Sequence, residues 1–199
     1  MSEISFPGAT AVGLVYKDGV ILAADRRASY GTFVMSKNAR KVFRITDKIG
    51  MASAGLFSDI QTIVREAKYH ANMFKLETHR EMNARALAKL ISVFLFSSRL
   101  APLLTQSIIG GFSNGKREIL VLDALGSIIE DVYIAVGSSA ELVTGVLESA
   151  YREDLSIDES RELIKKAIKA ALERDSSSGN GIDLLFITKD KTWEEFMPT

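Results

Sequence analysis

The amino-acid sequence predicts an α+β fold, a four-layer α-β-β-α sandwich of antiparallel sheets. Three observations point there. Apolar runs rich in β-branched residues and separated by short turns open the chain. The hydrophobic period then moves from two toward 3.6, back again, and once more. The resulting block order is strands, two helices, strands, two helices, strands, which lacks the strict β-α alternation of a parallel sheet. At 199 residues the chain is long enough for a single domain, burying about 70 % of the surface its unfolded form exposes.

The first hairpin is expected over 9–16 and 20–25, joined by the turn Lys17-Asp18-Gly19. Short strands follow at 32–35, 42–46 and 50–54. Amphipathic helices are expected at 60–75 and 81–100, the second stopping before Pro102. Strand character returns at 106–112, 117–123 and 127–135, with Ser113-Asn114-Gly115 and Gly126 as turn signals. Helices are expected at 140–151 and 157–174, the latter opening on Ser156 with Glu159 three residues on, a capping box. Strands at 182–188 and 193–196 close the chain. No internal repeat or low-complexity tract interrupts this order.

Composition excludes several function classes. Lys+Arg and Asp+Glu both number 25, so bulk charge gives no reason to expect nucleic acid or an anionic membrane as partner. There is no cysteine, hence no disulfide and no thiolate nucleophile or metal site. The two histidines, His70 and His79, lie in or near a polar helical stretch and read as surface residues, which disfavours Ser-His or Cys-His catalysis. No cofactor and no metal is expected. The first eight residues carry neither a basic nor an apolar signal region, and "LISVFLFSSRLAPLL" is broken by Arg99 and Pro102, so a cytoplasmic protein is expected.

Four polar clusters interrupt the apolar surroundings: Asp25-Arg26-Arg27, Lys41, Gly137-Ser138-Ser139, and Asp175-Ser176-Ser177-Ser178-Gly179. Singly, each reads as a strand end, a surface lysine or a cap. Together, the stretches "GLVYKDGVILAADRRAS", "SKNARKVFRI", "ASAGLFSDIQ", "AVGSSAELVTGVLE" and "ERDSSSGNGIDL" resemble the β-type subunits of the archaeal 20S proteasome, members of the N-terminal-nucleophile (Ntn) hydrolases, over nearly the whole chain. In that family a threonine at the mature N-terminus is followed by an acidic residue 16 positions on and a lysine 32 positions on. Counted back from Asp25 and Lys41, both spacings land on residue 9.

The resemblance implies a propeptide-like leader at 1–8 ahead of a subunit domain at 9–199. It implies that Lys41 lowers the nucleophile's pKa, that Asp25 holds Lys41, and that Ser138, Asp175 and Ser178 orient the α-amine and its water. Gly55 would offer its N–H to the oxyanion, Ser29 and Gly55 would pair with an extended peptide, and Ala28, Ser53 and Phe57 would line a specificity pocket. The implied partners are α-type and other β-type subunits in stacked heptameric rings, unfolded polypeptide, and a regulatory ATPase acting through the α ring.

The chain departs from the pattern at one atom: residue 9 is Ala. Without a hydroxyl no acyl-enzyme forms and the leader cannot remove itself. Thr10 is the alternative nucleophile, but adjacent strand residues point to opposite faces, so it is expected to aim away from Lys41 unless a bulge shifts the register. The Ala-Thr-Ala opening resembles the silent β-type subunits that some archaea keep beside an active paralogue; a threonine-to-alanine variant is the other origin. Ala11 and Ser139 depart too, where active members more often carry Thr and Gly.

Overall fold

The computed structural model describes residues 8–199. The expected leader, except Gly8, lies outside the described residues. Sheet one has the order β10-β1-β2-β11-β12, built from β1 (Thr10–Tyr16), β2 (Gly19–Asp25), β10 (Tyr133–Gly137), β11 (Ile182–Thr188) and β12 (Thr192–Met197). Sheet two has the order β5-β6-β7-β8-β9, from β5 (Val42–Arg44), β6 (Ile49–Gly55), β7 (Thr105–Ser113), β8 (Lys116–Leu122) and β9 (Ile128–Asp131). A separate hairpin pairs β3 (Ala28–Tyr30) with β4 (Phe33–Ser36). All pairings are antiparallel.

Three apolar cores fill the three spaces of a four-layer sandwich. Side chains of α1 (Phe57–Thr78) and α2 (Ala84–Ser97), among them Ile63, Leu87 and Ile91, pack on Met51, Ile109 and Leu120 of sheet two. Side chains of α3 (Ala140–Ala150) and α4 (Ile157–Leu172), among them Val143, Ile164 and Ile168, pack on Val12, Leu14 and Leu184 of sheet one. Between the sheets lie Ala9, Ala11, Leu22, Ala52, Ile108, Ile119 and Leu185. Alternation along β1 and the residue just before it produces this division: Val12, Leu14 and Tyr16 face the helices, while Ala9, Ala11 and Val15 face the other sheet. Because both faces are covered, β1 and β2 are buried at every residue, which is why they read as continuous apolar runs.

The sequence-based segments match most elements. One expectation is corrected: 127–135 is two strands in different sheets. The chain leaves sheet two after Asp131, whose Oδ1 accepts from the Val132 N–H, and enters sheet one at Tyr133 beside Leu14. The strand Ala28–Tyr30 lies outside the expected segments: it is three residues long and follows an Arg-Arg pair that masks its pattern. The second helix is shorter than 81–100 since Asn83 caps it, its side chain accepting from Ala86 N at 2.7 Å. The capping box at Ser156 and Glu159 is present. His79 ends α1 in the left-handed conformation, and His70 lies on its surface 4.0 Å from Glu66.

Candidate active site

The site gathers where the N-terminal end of β1 meets the loop after α4. Asp25, at the last position of β2, is fully buried and its carboxylate accepts four donors. Oδ1 takes the Lys41 ammonium at 2.7 Å and the Thr10 N–H at 3.0 Å; Oδ2 takes the N–H groups of Arg27 and Gly179, both at 2.9 Å. Lys41 also donates to the Arg27 carbonyl at 2.7 Å. Burial pushes the Lys41 ammonium below its ordinary pKa, opposed by the charge and hydrogen bond of Asp25.

A second carboxylate sits in a ring of hydroxyls. Asp175 Oδ2 accepts from Ser138 (2.5 Å), Ser178 (2.7 Å) and Ser139 (2.9 Å), and Oδ1 accepts from the N–H and hydroxyl of Ser177. Burial alone would raise this carboxyl, but the donors from Ser138, Ser177 and Ser178 hold it well below the usual carboxylate range. Ser139, a departure in sequence, thus joins the same ring.

Thr10 lies on the other side of the strand. Its hydroxyl is 2.9 Å from Ser178 Oγ. Since the single Ser178 proton is directed to Asp175, Thr10 is the donor in that contact. No bulge intervenes, for β1 keeps regular register with β10 from Thr10 to Leu14 and with β2 from Ala11 to Tyr16. Ala9, by contrast, is buried between the sheets, its carbonyl accepting from Ser138 N at 3.0 Å.

Ala9 and Lys41 border a cleft of about 70 Å³ together with Ala28, Ser29, Gly55 and Phe57, all expected there. Ser53 is not part of it. Ser53 is fully buried, and its hydroxyl is bonded at 2.9 Å to Ser107 on the neighbouring strand. Gly8, Arg27, Tyr30, Met35 and Leu56 complete the lining. Gly55 cannot be replaced without strain, with φ +132° and a Cβ position 2.2 Å from the Leu104 carbonyl.

Sequence reasoning missed Arg27 and Ser177. Arg27 ties the two halves together: its Nε donates to Asn180 at 3.0 Å and its Nη1 to the Ser176 carbonyl at 2.7 Å, while its backbone serves Asp25 and Lys41. Ser177 abuts Gly8 so closely that any Cβ there would overlap its hydroxyl. The signal for both was available in the polar clusters that contain them, but neither falls on the 16- and 32-residue spacing.

Two five-stranded antiparallel sheets between helix pairs, with a buried lysine-aspartate pair at the head of the first strand, define the Ntn-hydrolase sandwich. Within that class the chain belongs to the proteasome subunit family, on its archaeal β-type side: the family described as "Proteasome subunit" matches residues 6–187. It is 48 % identical to proteasome subunit beta 1 of Ignicoccus hospitalis over 92 % of either chain. It is 46 % identical to proteasome subunit beta 2 of Pyrobaculum arsenaticum, over 94 % of this chain and 93 % of that one. Among the described residues no helix is long and apolar enough to cross a membrane.

Proposed function

We propose that this chain is a silent β-type subunit of a proteasome core particle: it builds the ring and shapes the peptide channel, while an active β-type neighbour cuts. The single observation that carries this is the methyl group of Ala9 at the place where a nucleophilic hydroxyl is needed. In this reading residues 1–8 are a propeptide-like leader that only another protease can trim, and the particle works in the cytoplasm. The chain sits in stacked heptameric rings with α-type subunits, and unfolded polypeptide reaches it through an α ring served by a regulatory ATPase.

The surrounding residues are arranged for the chemistry that Ala9 lacks. A buried ammonium beside residue 9 would favour the ionised form of a hydroxyl there, and Asp25 holds that ammonium in place. The Asp175 hydroxyl ring, which reaches Gly8 through Ser138 and Ser177, would orient a freed α-amine at residue 9. Gly55 at the cleft edge would supply an N–H to the oxyanion. Thr10 has none of these neighbours at its hydroxyl except Ser178.

The test is Ala9→Thr, made with matching α-type subunits and without any other β-type chain. The expected product has a mature end at residue 9 and hydrolyses peptides, whereas Ala9→Thr combined with Lys41→Met assembles but stays inert. A processed, assembled and inert Ala9→Thr variant would show the assigned roles to be wrong. Peptide hydrolysis by the unaltered chain, with a mature end at Thr10, would overturn silence itself.

A further inference from the structure

At the opposite end of β1, about 20 Å from Thr10 by strand rise, lies a much larger cleft of about 850 Å³. Its walls are the β1–β2 turn, the β11–β12 turn, the β7–β8 turn and the first turns of α4. The volume falls in the range of sites that hold small molecules.

Charge in this cleft is unevenly committed. Arg161 and Glu195 pair bidentately at 2.9 and 3.0 Å, and Glu195 also accepts from the Trp193 indole at 2.9 Å. That leaves Lys17, Arg117, Lys189 and Lys191 without a carboxylate partner among the described residues, against Asp18 and Asp190 as the remaining acids. Arg117 is held rather than loose: its Nη1 donates to the Tyr16 carbonyl at 2.8 Å and to the Lys17 carbonyl. The rest of its guanidinium fork is uncommitted, the geometry that suits a carboxylate or phosphate. The Lys189 backbone is likewise fixed, its carbonyl accepting from Lys48. Tyr16, also on the cleft wall, has its side chain fully buried in the core under α4, with a hydroxyl that has no hydrogen-bond partner among the described residues.

We propose that this cleft binds a small ligand carrying an oxyanion, a phosphate or a carboxylate cluster, through Lys17, Arg117 and Lys189. The assignment is independent of the silent catalytic position. Trp193 provides a direct reporter, because it is the one tryptophan of the chain and the Lys191 ammonium stands 4.5 Å above its ring. An anion that draws Lys191 aside alters the indole's surroundings.

The experiment titrates the full chain with pyrophosphate and, separately, with citrate, following Trp193 emission against sodium chloride of equal ionic strength. A saturable change beyond the chloride control is expected. Response to pyrophosphate alone assigns a phosphate ligand, to citrate alone a polycarboxylate, and to both a general oxyanion site. Lys17→Gln with Lys189→Gln, whose side chains make no hydrogen bond among the described residues, should weaken the midpoint about tenfold or more. Arg117→Gln should do the same, with unchanged circular dichroism as its control. Equal responses to chloride and to both oxyanions, or an unshifted midpoint in the double lysine variant, would overturn the proposal.

Discussion

Asp25 and Lys41 form a buried pair in which the two partners are not equally dependent on each other. Asp25 without Lys41 retains three backbone N–H donors, whereas Lys41 without Asp25 retains only the Arg27 carbonyl. Losing one member of such a pair costs about 3–5 kcal/mol. Asp25→Ala also leaves the N–H groups of Thr10, Arg27 and Gly179 unpaired, so it should cost more than Lys41→Met, as urea unfolding would measure. Equal costs would mean that the backbone donors find other acceptors. Asp175 carries a pH signature. Its folded pKa is depressed, so the stability it contributes is fully present above the unfolded value of about 3.9 and is lost as pH falls below it. The stability gap between the unaltered chain and Asp175→Asn should therefore be constant from neutral pH down to about 5 and shrink below about 4. A gap that does not change with acidification would mean that Asp175 is not held as an anion.

At the scale of elements, the contact between α2 and the turn after β8 makes a sharp case. Gly126 has φ +86°, and a Cβ there would lie 2.3 Å from the Ser92 carbonyl; Ser92 Oγ in turn donates to the Gly126 carbonyl at 2.5 Å. Gly126→Ala should destabilise by about 1–3 kcal/mol through backbone strain alone, more than Ser156→Ala at the α4 cap, for which about 1 kcal/mol is expected. Thermal unfolding of the two variants checks the order. Gly126 was legible in sequence as a turn, but its contact with the helix was not, because that contact spans 34 residues. The same limit explains the strand read over 127–135: periodicity reports which side chains are apolar and says nothing about which sheet a strand joins. Spacing alone singles out Ala9, Asp25 and Lys41, and the fold sets Lys41 against Asp25 on a cleft shared with Ala9. Ser53 marks the limit of such reading, since a serine in a strand looks the same in sequence whether it faces a cleft or, as here through Ser107, a neighbouring strand.

The whole molecule has two unlike helical faces. On the α3/α4 side Leu142 is the one large apolar side chain of those helices counted as exposed among the described residues. On the α1/α2 side Leu90, Val93, Phe96 and Leu100 make a stripe along the outer face of α2 and just past its end, with Val93 57 %, Phe96 56 % and Leu100 95 % exposed, and Tyr69 and Leu76 on α1 are exposed as well. Phe74 and Phe94, which aromatic content alone would also assign to a contact surface, instead pack against the core under those helices. A contiguous apolar stripe of this kind is what a subunit covers by assembly. Val93→Glu with Leu100→Glu places two carboxylates there without touching a buried residue, and surface changes of this sort usually alter folding stability by about 0.5 kcal/mol or less. The double variant should therefore keep its helical content and melting temperature yet remain a 21.8 kDa monomer when matching α-type subunits are supplied. Light scattering decides the matter: a ring-sized particle formed by the double variant as readily as by the unaltered chain would mean that the stripe is not an assembly surface.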